Sequence, residues 1–347
     1  MPASTHRRVR AIAALAASAA AAVLLSGCVG GAASSTDTGS TILHLVSYSV
    51  PKEANKAIEQ KFAETPEGKG VAFQESYGAS GDQSRAVVNG LEADYVNFSV
   101  EGDVTRLVKA GLVDETWNSG PTKGIVSDST VVIVVPKGNP LGIQGWEDLL
   151  KPEVKIVTPN PASSGSARWN ILAAYQQVVA NGGTEAEAKA YLTEFFSHVT
   201  SLPGSGRDAT SAFKQGAANV LISYENEAIL ARQSGEQFDY LVPEATLEIE
   251  SPAAVLKNAN PKAKAFLDFV LSQTGQEQFA SLGFRPVVAG TPIPEVAGAN
   301  DPKNPFPVPA KLFTVAELGG WDAVNKKFFD DATGLVPAIQ KATGKAQ

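Results

Sequence analysis

The chain has 347 residues, of which 44% are hydrophobic, and a formal net charge of −7. This length is sufficient for two domains with sizeable cores. Because an acidic chain without a basic stripe cannot neutralise phosphates, nucleic acid is excluded as an expected partner. The single cysteine, Cys28, permits neither a disulfide framework nor a thiolate metal cluster.

The N-terminus has the pattern of an exported lipoprotein. Basic residues in THRRVR precede an apolar segment, residues 11–25, that is too short to span a membrane. The following LSGC resembles the signal of bacterial lipoproteins, in which Cys28 is lipidated after cleavage. The sequence therefore predicts a signal peptide at 1–27, a flexible lipid-anchored tether at 28–41 and an extracytoplasmic location at the cell membrane. An ordinary secretory leader with a chance cysteine is the alternative.

After the tether, strand and helix patterns alternate to about Tyr240, which is typical of parallel sheets with crossover helices. Four strand-to-helix junctions carry serine, in SYSVPKEANKAI, SYGASGDQSRAVVNG, TPNPASSGSARWN and LPGSGRDATSAFKQG. Unpaired backbone N–H groups and the positive end of the helix dipole meet at such junctions, and small residues let an anion approach them. If the junctions converge, they form a pocket for a small oxyanion. Serine N-caps with tight turns are the structural alternative.

Two extended segments divide the remaining chain. The most apolar strand lies in STVVIVVPKGNP, and the later segment YLVPEATLEIESPAAVLKNA is predicted to return the chain to the first domain. We therefore expect two α/β lobes joined by two crossings. Residues 42–124 form the first part of lobe 1, residues 125–244 form lobe 2, and residues 245–347 form the second part of lobe 1 with the C-terminal helices.

Several segments resemble the sulfate-binding and thiosulfate-binding proteins of ABC importers. They are VSYSVPKEANKAI, SYGASGDQSRAVVNGLEADYVNFS, KGNPLGIQGWEDLLKPEVKIVTPNPASSGSARWNILAAY, VLISYENEA, SQTGQEQFA with GFRPV, and KLFTVAELGGW. The resemblance implies a two-lobe periplasmic-binding-protein fold of type II. It also implies that the cleft buries sulfate, which neutral donors hold: backbone N–H groups at helix starts, serine hydroxyls and one indole N–H.

The resemblance also implies which residues hold the ligand. The candidates are Ser49, Ser80, Ser164, Gly165, Ser166, Gly206, Arg207 and Tyr224. The family often has aspartate where this chain has Ser49, and tryptophan where it has Tyr224. Tyrosine keeps a donor, but the phenol reaches differently from an indole. For Arg207, an anion contact and a surface pair with Asp208 are both open.

The expected function is that of a monomeric receptor, without cofactor or metal, that delivers sulfate or thiosulfate to an ABC permease and its ATPase. A receptor for phosphate or molybdate is the nearest alternative. An oxyanion-processing enzyme is disfavoured because GASGD and PGSGR do not complete G-x-S-x-G, and a surface lipoprotein without a transport role is the third class. The site segments offer no obvious carboxylate for a phosphate proton, although four lie nearby in sequence: Asp82, Asp103, Asp208 and Glu225.

Overall fold

The computed structural model describes residues 41–346. The predicted signal peptide, Cys28 and nearly all of the predicted tether lie outside these residues. The strands are β1 Thr41–Tyr48, β2 Val71–Gly78, β3 Tyr95–Asn97, β4 Ile125–Pro136, β5 Ile156–Val157, β6 Val199–Ser201, β7 Val220–Tyr224, β8 Phe238–Leu241, β9 Ala245–Val255 and β10 Lys311–Phe313.

Helices follow most of the strands. They are α1 Lys52–Ala63, α2 Ser80–Val88, α3 Glu101–Lys109, α4 Gly165–Ala180, α5 Glu185–His198, α6 Gly206–Lys214, α7 Glu225–Gln233, α8 Lys262–Val270, α9 Gln273–Ser281, α10 Gly320–Val324 and α11 Leu335–Ala342. Short 3₁₀ helices lie at Trp146–Leu150 and Ala316–Leu318, and a π-helical turn lies at Asn325–Phe329. None of the helices in the described part of the chain is long and apolar enough to cross a membrane.

The strands pair in the order β2-β1-β3-β9-β4-β7-β5-β6. At one end, β1 is parallel to both β2 and β3, and at the other end β5 is parallel to both β6 and β7. One helix follows each of β1, β2 and β6, and two helices follow β5, before the chain enters the next parallel strand, which confirms the predicted crossover pattern.

Two long antiparallel strands connect these parallel groups. The first half of β4 pairs with β9, from Ile125 opposite Pro252 to Thr130 opposite Glu248, and its second half pairs with β7 and β8. Beyond the shared segment, β9 pairs with β3. Each strand thus runs from one group of strands into the other, and together they are the two crossings predicted from the sequence.

The apolar run in β4 is buried on both sides. Val131, Ile133 and Val135 belong to the largest hydrophobic core, whereas Val132 and Val134 belong to a second core. Because neighbouring side chains on a strand point to opposite faces, a strand covered on both faces is a continuous apolar run instead of an alternating one.

The part of the chain after β9 packs against α1 and α4. In α8, Phe266 packs against Phe62 of α1, with ring centroids 5.4 Å apart. Further on, Trp321 packs edge-on against Trp169 of α4, with centroids 4.8 Å apart, and Phe328 packs against Tyr175 at 4.9 Å. The chain boundaries of the lobes stay a prediction.

Candidate functional site

The starts of α2, α3 and α4 meet at one place. The N–H of Gly81 in α2 donates to the carbonyl of Ser163, just before α4, at 3.0 Å. A Cβ on Gly165, the first residue of α4, would lie only 2.7 Å from the Cβ and the Oγ of Ser99, which precedes α3. Glycine at 165 is therefore what allows these two helix starts to approach so closely.

The starts of α1 and α6 join the same cluster. A Cβ on Gly206, the first residue of α6, would lie 2.9 Å from the Ser166 Oγ and 3.2 Å from the Val50 Cγ2. Ser166 is in the first turn of α4, and Val50 precedes α1. The serine-bearing junctions identified in the sequence thus converge, as the pocket hypothesis requires.

Tyr224 joins the cluster from the end of β7. Its phenol hydrogen-bonds the Ser99 hydroxyl at 2.7 Å, and its side chain is fully buried. Burial raises the pKa of Tyr224 well above its usual value, although hydrogen bonds with Ser99 and Ser166 act in the opposite direction. The phenol is therefore neutral, and it is a donor or an acceptor according to its neighbours.

Several backbone donors at the cluster are not engaged. Among residues 41–346, the N–H groups of Gly165, Ser166 and Gly206 have no hydrogen-bond acceptor. By contrast, the N–H of Ser49 donates to Gly78 and that of Ser164 donates to Asn160, so only the hydroxyls of these two serines are left for a ligand. The first turn of a helix has no internal acceptors for its N–H groups, which explains why the open donors fall at these positions.

Ser80 is placed differently from the other serines. Its hydroxyl donates to the Asp103 carboxylate at 2.6 Å and accepts the Ser99 N–H at 2.9 Å. Arg106 in turn pairs with Asp103 at 2.7 Å. Since Asp103 takes the hydroxyl hydrogen, the backbone N–H is the donor that Ser80 can offer to an anion.

The four nearby carboxylates all have partners of their own. Asp103 binds Ser80 and Arg106, Asp82 pairs with Arg85 at 2.5 Å, and Asp208 accepts from the Ser205 hydroxyl at 2.7 Å. Glu225 is buried and pairs with Arg285 at 2.9 Å. The cluster thus presents neutral donors, and each of these four carboxylates already has a partner within the protein.

Arg207 does not form the surface pair with Asp208 that the sequence left open. Its guanidinium contacts Glu227 through Nε at 3.0 Å and through Nη2 at 2.7 Å. Glu227 comes 20 residues later and is buried, so the carboxylate that pairs with Arg207 is not the one next to it in the sequence.

Two members of the cluster were missed in the sequence. Ser99 contacts Tyr224 and Ser80, and its carbonyl accepts the indole N–H of Trp169 at 2.8 Å. The signal was present, because YVNFSVEGD is one more strand-to-helix junction with serine. Trp169 gave no such signal, since an apolar helical residue is ordinarily a core residue. His44 and His198 lie in structural contacts, His44 with Asp94 and His198 with the Val154 carbonyl.

Within residues 41–346, no group of three or more His, Cys, Asp or Glu side chains is arranged to hold a metal ion. The arrangement offers instead helix N-termini, hydroxyls and a phenol in a buried environment. Such groups can bind an anion through dipoles and hydrogen bonds, without a cationic partner.

Comparisons with known proteins also indicate a protein that binds a small solute. The family model described as bacterial extracellular solute-binding protein matches residues 43–285. A sulfate-binding protein from Synechococcus elongatus is 40% identical and covers 97% of each chain. A thiosulfate-binding protein from Pseudomonas aeruginosa is 33% identical over 90% of this chain and 95% of its own. The solved structure of the sulfate-binding protein SubI from Mycobacterium tuberculosis H37Rv is 44% identical, with a TM-score of 0.78, and covers 84% of this chain and 100% of that one.

Proposed function

Because the chain belongs to the family of bacterial extracellular solute-binding proteins, we propose that it is an extracytoplasmic receptor that binds sulfate and delivers it to an ABC permease. The predicted two-lobe periplasmic-binding fold of type II is confirmed. The observation that supports sulfate as the ligand is the convergence of several helix starts and serine hydroxyls at a cluster whose neighbouring carboxylates already have partners within the protein.

We propose that the anion is held by a set of neutral donors. They are the backbone N–H groups of Ser80, Gly165, Ser166 and Gly206, the hydroxyls of Ser49, Ser164 and Ser166, and the phenol of Tyr224. A hydrogen bond to a charged group is worth about 1.5 to 3 kcal/mol. Several such bonds, together with the helix dipoles, replace the water that a dianion loses on burial.

Lobe closure is the proposed mechanism of binding. The Ser99–Tyr224 hydrogen bond and the Gly81–Ser163 hydrogen bond join segments that belong to different lobes under the predicted boundaries. A ligand held from both sides binds the closed state better than the open one, so it shifts the population toward closure. The receptor acts as a monomer without catalytic activity, and the closed form is what the permease recognises.

Sulfate is therefore expected to compact the soluble protein and to stabilise it. At a concentration about 100 times its dissociation constant, a ligand that binds only the folded state adds about 2.7 kcal/mol to the free energy of unfolding. Small-angle scattering and thermal melts with sodium sulfate, against sodium chloride at equal ionic strength, measure both effects. An unchanged radius of gyration together with an unchanged melting temperature would contradict the receptor function.

Selectivity is expected to favour sulfate over phosphate. Near neutral pH sulfate only accepts hydrogen bonds, whereas phosphate keeps at least one proton that needs an acceptor. In a cluster of donors that O–H group stays unsatisfied, which costs about 1 to 3 kcal/mol. We therefore expect sulfate to bind at least about tenfold more tightly, with an affinity that is nearly constant between about pH 5 and pH 8, because backbone amides and serine hydroxyls do not titrate there.

Competition calorimetry at both ends of this pH range tests the selectivity. The panel contains sulfate, thiosulfate, phosphate and molybdate; thiosulfate is included because one relative is named as a thiosulfate-binding protein. If phosphate or molybdate binds more tightly than sulfate at either pH, the protein is a receptor for that oxyanion and not for sulfate.

We further propose that the receptor is tethered to the cell membrane by a lipid on Cys28. This rests on the LSGC pattern after a basic and apolar leader. Cys28→Ala is expected to abolish labelling by radioactive palmitate in cells and to leave the protein uncleaved or released from the membrane fraction. Lipid labelling that persists in this variant would contradict the anchor.

A further inference from the structure

The hydroxyl of Ser99 is held in a fixed position beside the proposed anion site. The Ser99 N–H donates to the Ser80 Oγ at 2.9 Å, and the Ser99 carbonyl accepts the indole N–H of Trp169 at 2.8 Å. The residue is fully buried and faces the start of α4, because a Cβ on Gly165 would lie 2.7 Å from the Ser99 Oγ. These contacts on both sides of Ser99 leave its hydroxyl little freedom to move.

The partner of this hydroxyl is the phenol of Tyr224. The two oxygen atoms are 2.7 Å apart, and the Ser99 hydroxyl has no other hydrogen-bond partner in the described part of the chain. Ser166, in the first turn of α4, acts on the same phenol. Ser99 belongs to lobe 1 and Tyr224 to lobe 2 under the predicted boundaries, so closure of the lobes brings the two hydroxyls together.

The direction of this hydrogen bond follows from the number of hydrogens. The two hydroxyls carry two hydrogens, and one of these lies in the bond between them. If Tyr224 donated, the buried Ser99 hydrogen would have no acceptor within residues 41–346, and leaving it unpaired costs free energy. If Ser99 donates, the phenol hydrogen is free for a ligand at the start of α4, where the N–H groups of Gly165 and Ser166 are open. With an anion at that place, the second arrangement satisfies both hydrogens.

We propose that Ser99 is a positioning residue that makes Tyr224 act only as a donor, and that it thereby determines the selectivity of the site for oxyanions without a proton. The inference rests on the proposed receptor function. A phenol oxygen both donates and accepts, so an unconstrained Tyr224 can accept the proton of hydrogen phosphate. When its oxygen already accepts the Ser99 hydrogen, the phenol presents its own hydrogen to the ligand. The bond from Ser99 also polarises the phenol and strengthens the hydrogen bond that it donates.

Competition calorimetry of Ser99→Ala with sulfate and phosphate near neutral pH tests this role. We expect sulfate to bind about three- to tenfold more weakly, since the phenol loses the hydrogen bond that orients it. Phosphate is expected to bind as in wild type or more tightly, because the freed phenol accepts its proton. The preference for sulfate over phosphate therefore falls at least about threefold. A merely structural defect would weaken the binding of both anions equally.

Ser251→Ala is the matched control. Ser251 and Tyr48 form a second buried pair of hydroxyls, 2.8 Å apart, and each residue is 2% exposed. This variant loses a hydrogen bond of the same kind in an equally buried place, but the lost bond is not one to Tyr224. Its preference for sulfate over phosphate is expected to stay within about twofold of that of wild type.

The Tyr224→Phe background distinguishes positioning from a direct contact between Ser99 and the anion. Tyr224→Phe by itself is expected to weaken sulfate binding about 10- to 150-fold, because a hydrogen bond to a charged ligand is lost. Adding Ser99→Ala is then expected to change the sulfate affinity by less than about twofold, since no phenol is left to orient. If the Ser99 hydroxyl contacted the anion itself, its removal would weaken binding in this background too.

Two results overturn the role of Ser99. The first is an unchanged preference for sulfate over phosphate in Ser99→Ala, and the second is a further loss of sulfate affinity when Ser99→Ala is added to Tyr224→Phe. In both cases wild-type protein still binds sulfate, so the receptor function stands. Wild-type protein that binds no sulfate in this assay contradicts the receptor function instead.

Discussion

Gly165→Val is expected to weaken sulfate binding at least about 100-fold. Even a Cβ at this position would lie 2.7 Å from the Cβ of Ser99 and 3.0 Å from the Val100 Cγ1, so a branched side chain holds the starts of α3 and α4 apart. Overpacking of this kind costs about 1 to 3 kcal/mol, and the loss of a hydrogen bond from the start of α4 to a charged ligand costs about 1.5 to 3 kcal/mol more. Calorimetry against sulfate measures the loss.

Gly120→Val is the matched control for this variant. A Cβ at Gly120 meets no atom within 4 Å, and its backbone is not in the left-handed region. We expect this variant to bind sulfate like wild type. The melting temperature of Gly165→Val without sulfate is expected to stay close to that of wild type, because under the predicted boundaries Ser99 and Gly165 belong to different lobes, which separate in the proposed open state. Binding of Gly165→Val within about threefold of wild type would contradict the placement of α4 at the anion.

Arg285→Met is expected to lower the free energy of unfolding by about 3 to 5 kcal/mol, which is typical when one partner of a buried ion pair is removed. Arg285 pairs with Glu225 at 2.9 Å, and the two side chains are 11% and 0% exposed. The same guanidinium donates to the carbonyl of Pro307 at 2.9 Å. Its loss thus leaves the buried Glu225 carboxylate without a compensating charge and the Pro307 carbonyl without this donor. Urea unfolding without sulfate measures the change in the free energy of unfolding.

The destabilisation is expected to depend on pH. Burial raises the pKa of Glu225 from 4.5 to about 7, although Arg285 opposes the shift. A carboxyl group with a raised pKa keeps its proton longer in the folded state. Its contribution to stability is therefore greatest below the unfolded pKa, and it is lost as pH rises through the folded pKa.

Without Arg285 the pKa of Glu225 rises further. Arg285→Met is therefore expected to lower the free energy of unfolding more at pH 8 than at pH 5. The variant Glu225→Gln removes the titrating group, and combining it with Arg285→Met is expected to restore part of the lost stability and most of the constancy with pH. If the defect of Arg285→Met is equal at both pH values, Glu225 is not the source of the penalty.

The sequence was sufficient to predict the crossover pattern and the two crossings. Both depend on contiguous residues: the second half of β4 contains the apolar run VVIVV, and α1, α2, α4 and α6 each follow a strand through a short turn with serine. These signals are local, because hydrophobic period and turn chemistry depend only on near neighbours along the chain. The segments that contain the anion-site candidates could be identified on the same basis, with the help of a family resemblance.

The tertiary structure alone decided which donor in each segment is available to a ligand. The Ser80 hydroxyl is taken by Asp103, 23 residues later, and the Ser99 hydroxyl meets Tyr224 across 125 residues. Arg207 selects Glu227 over the adjacent Asp208. Residues so far apart in the chain become hydrogen-bond partners because distant strands place their helices side by side. No local pattern of residues predicts which side chains then meet.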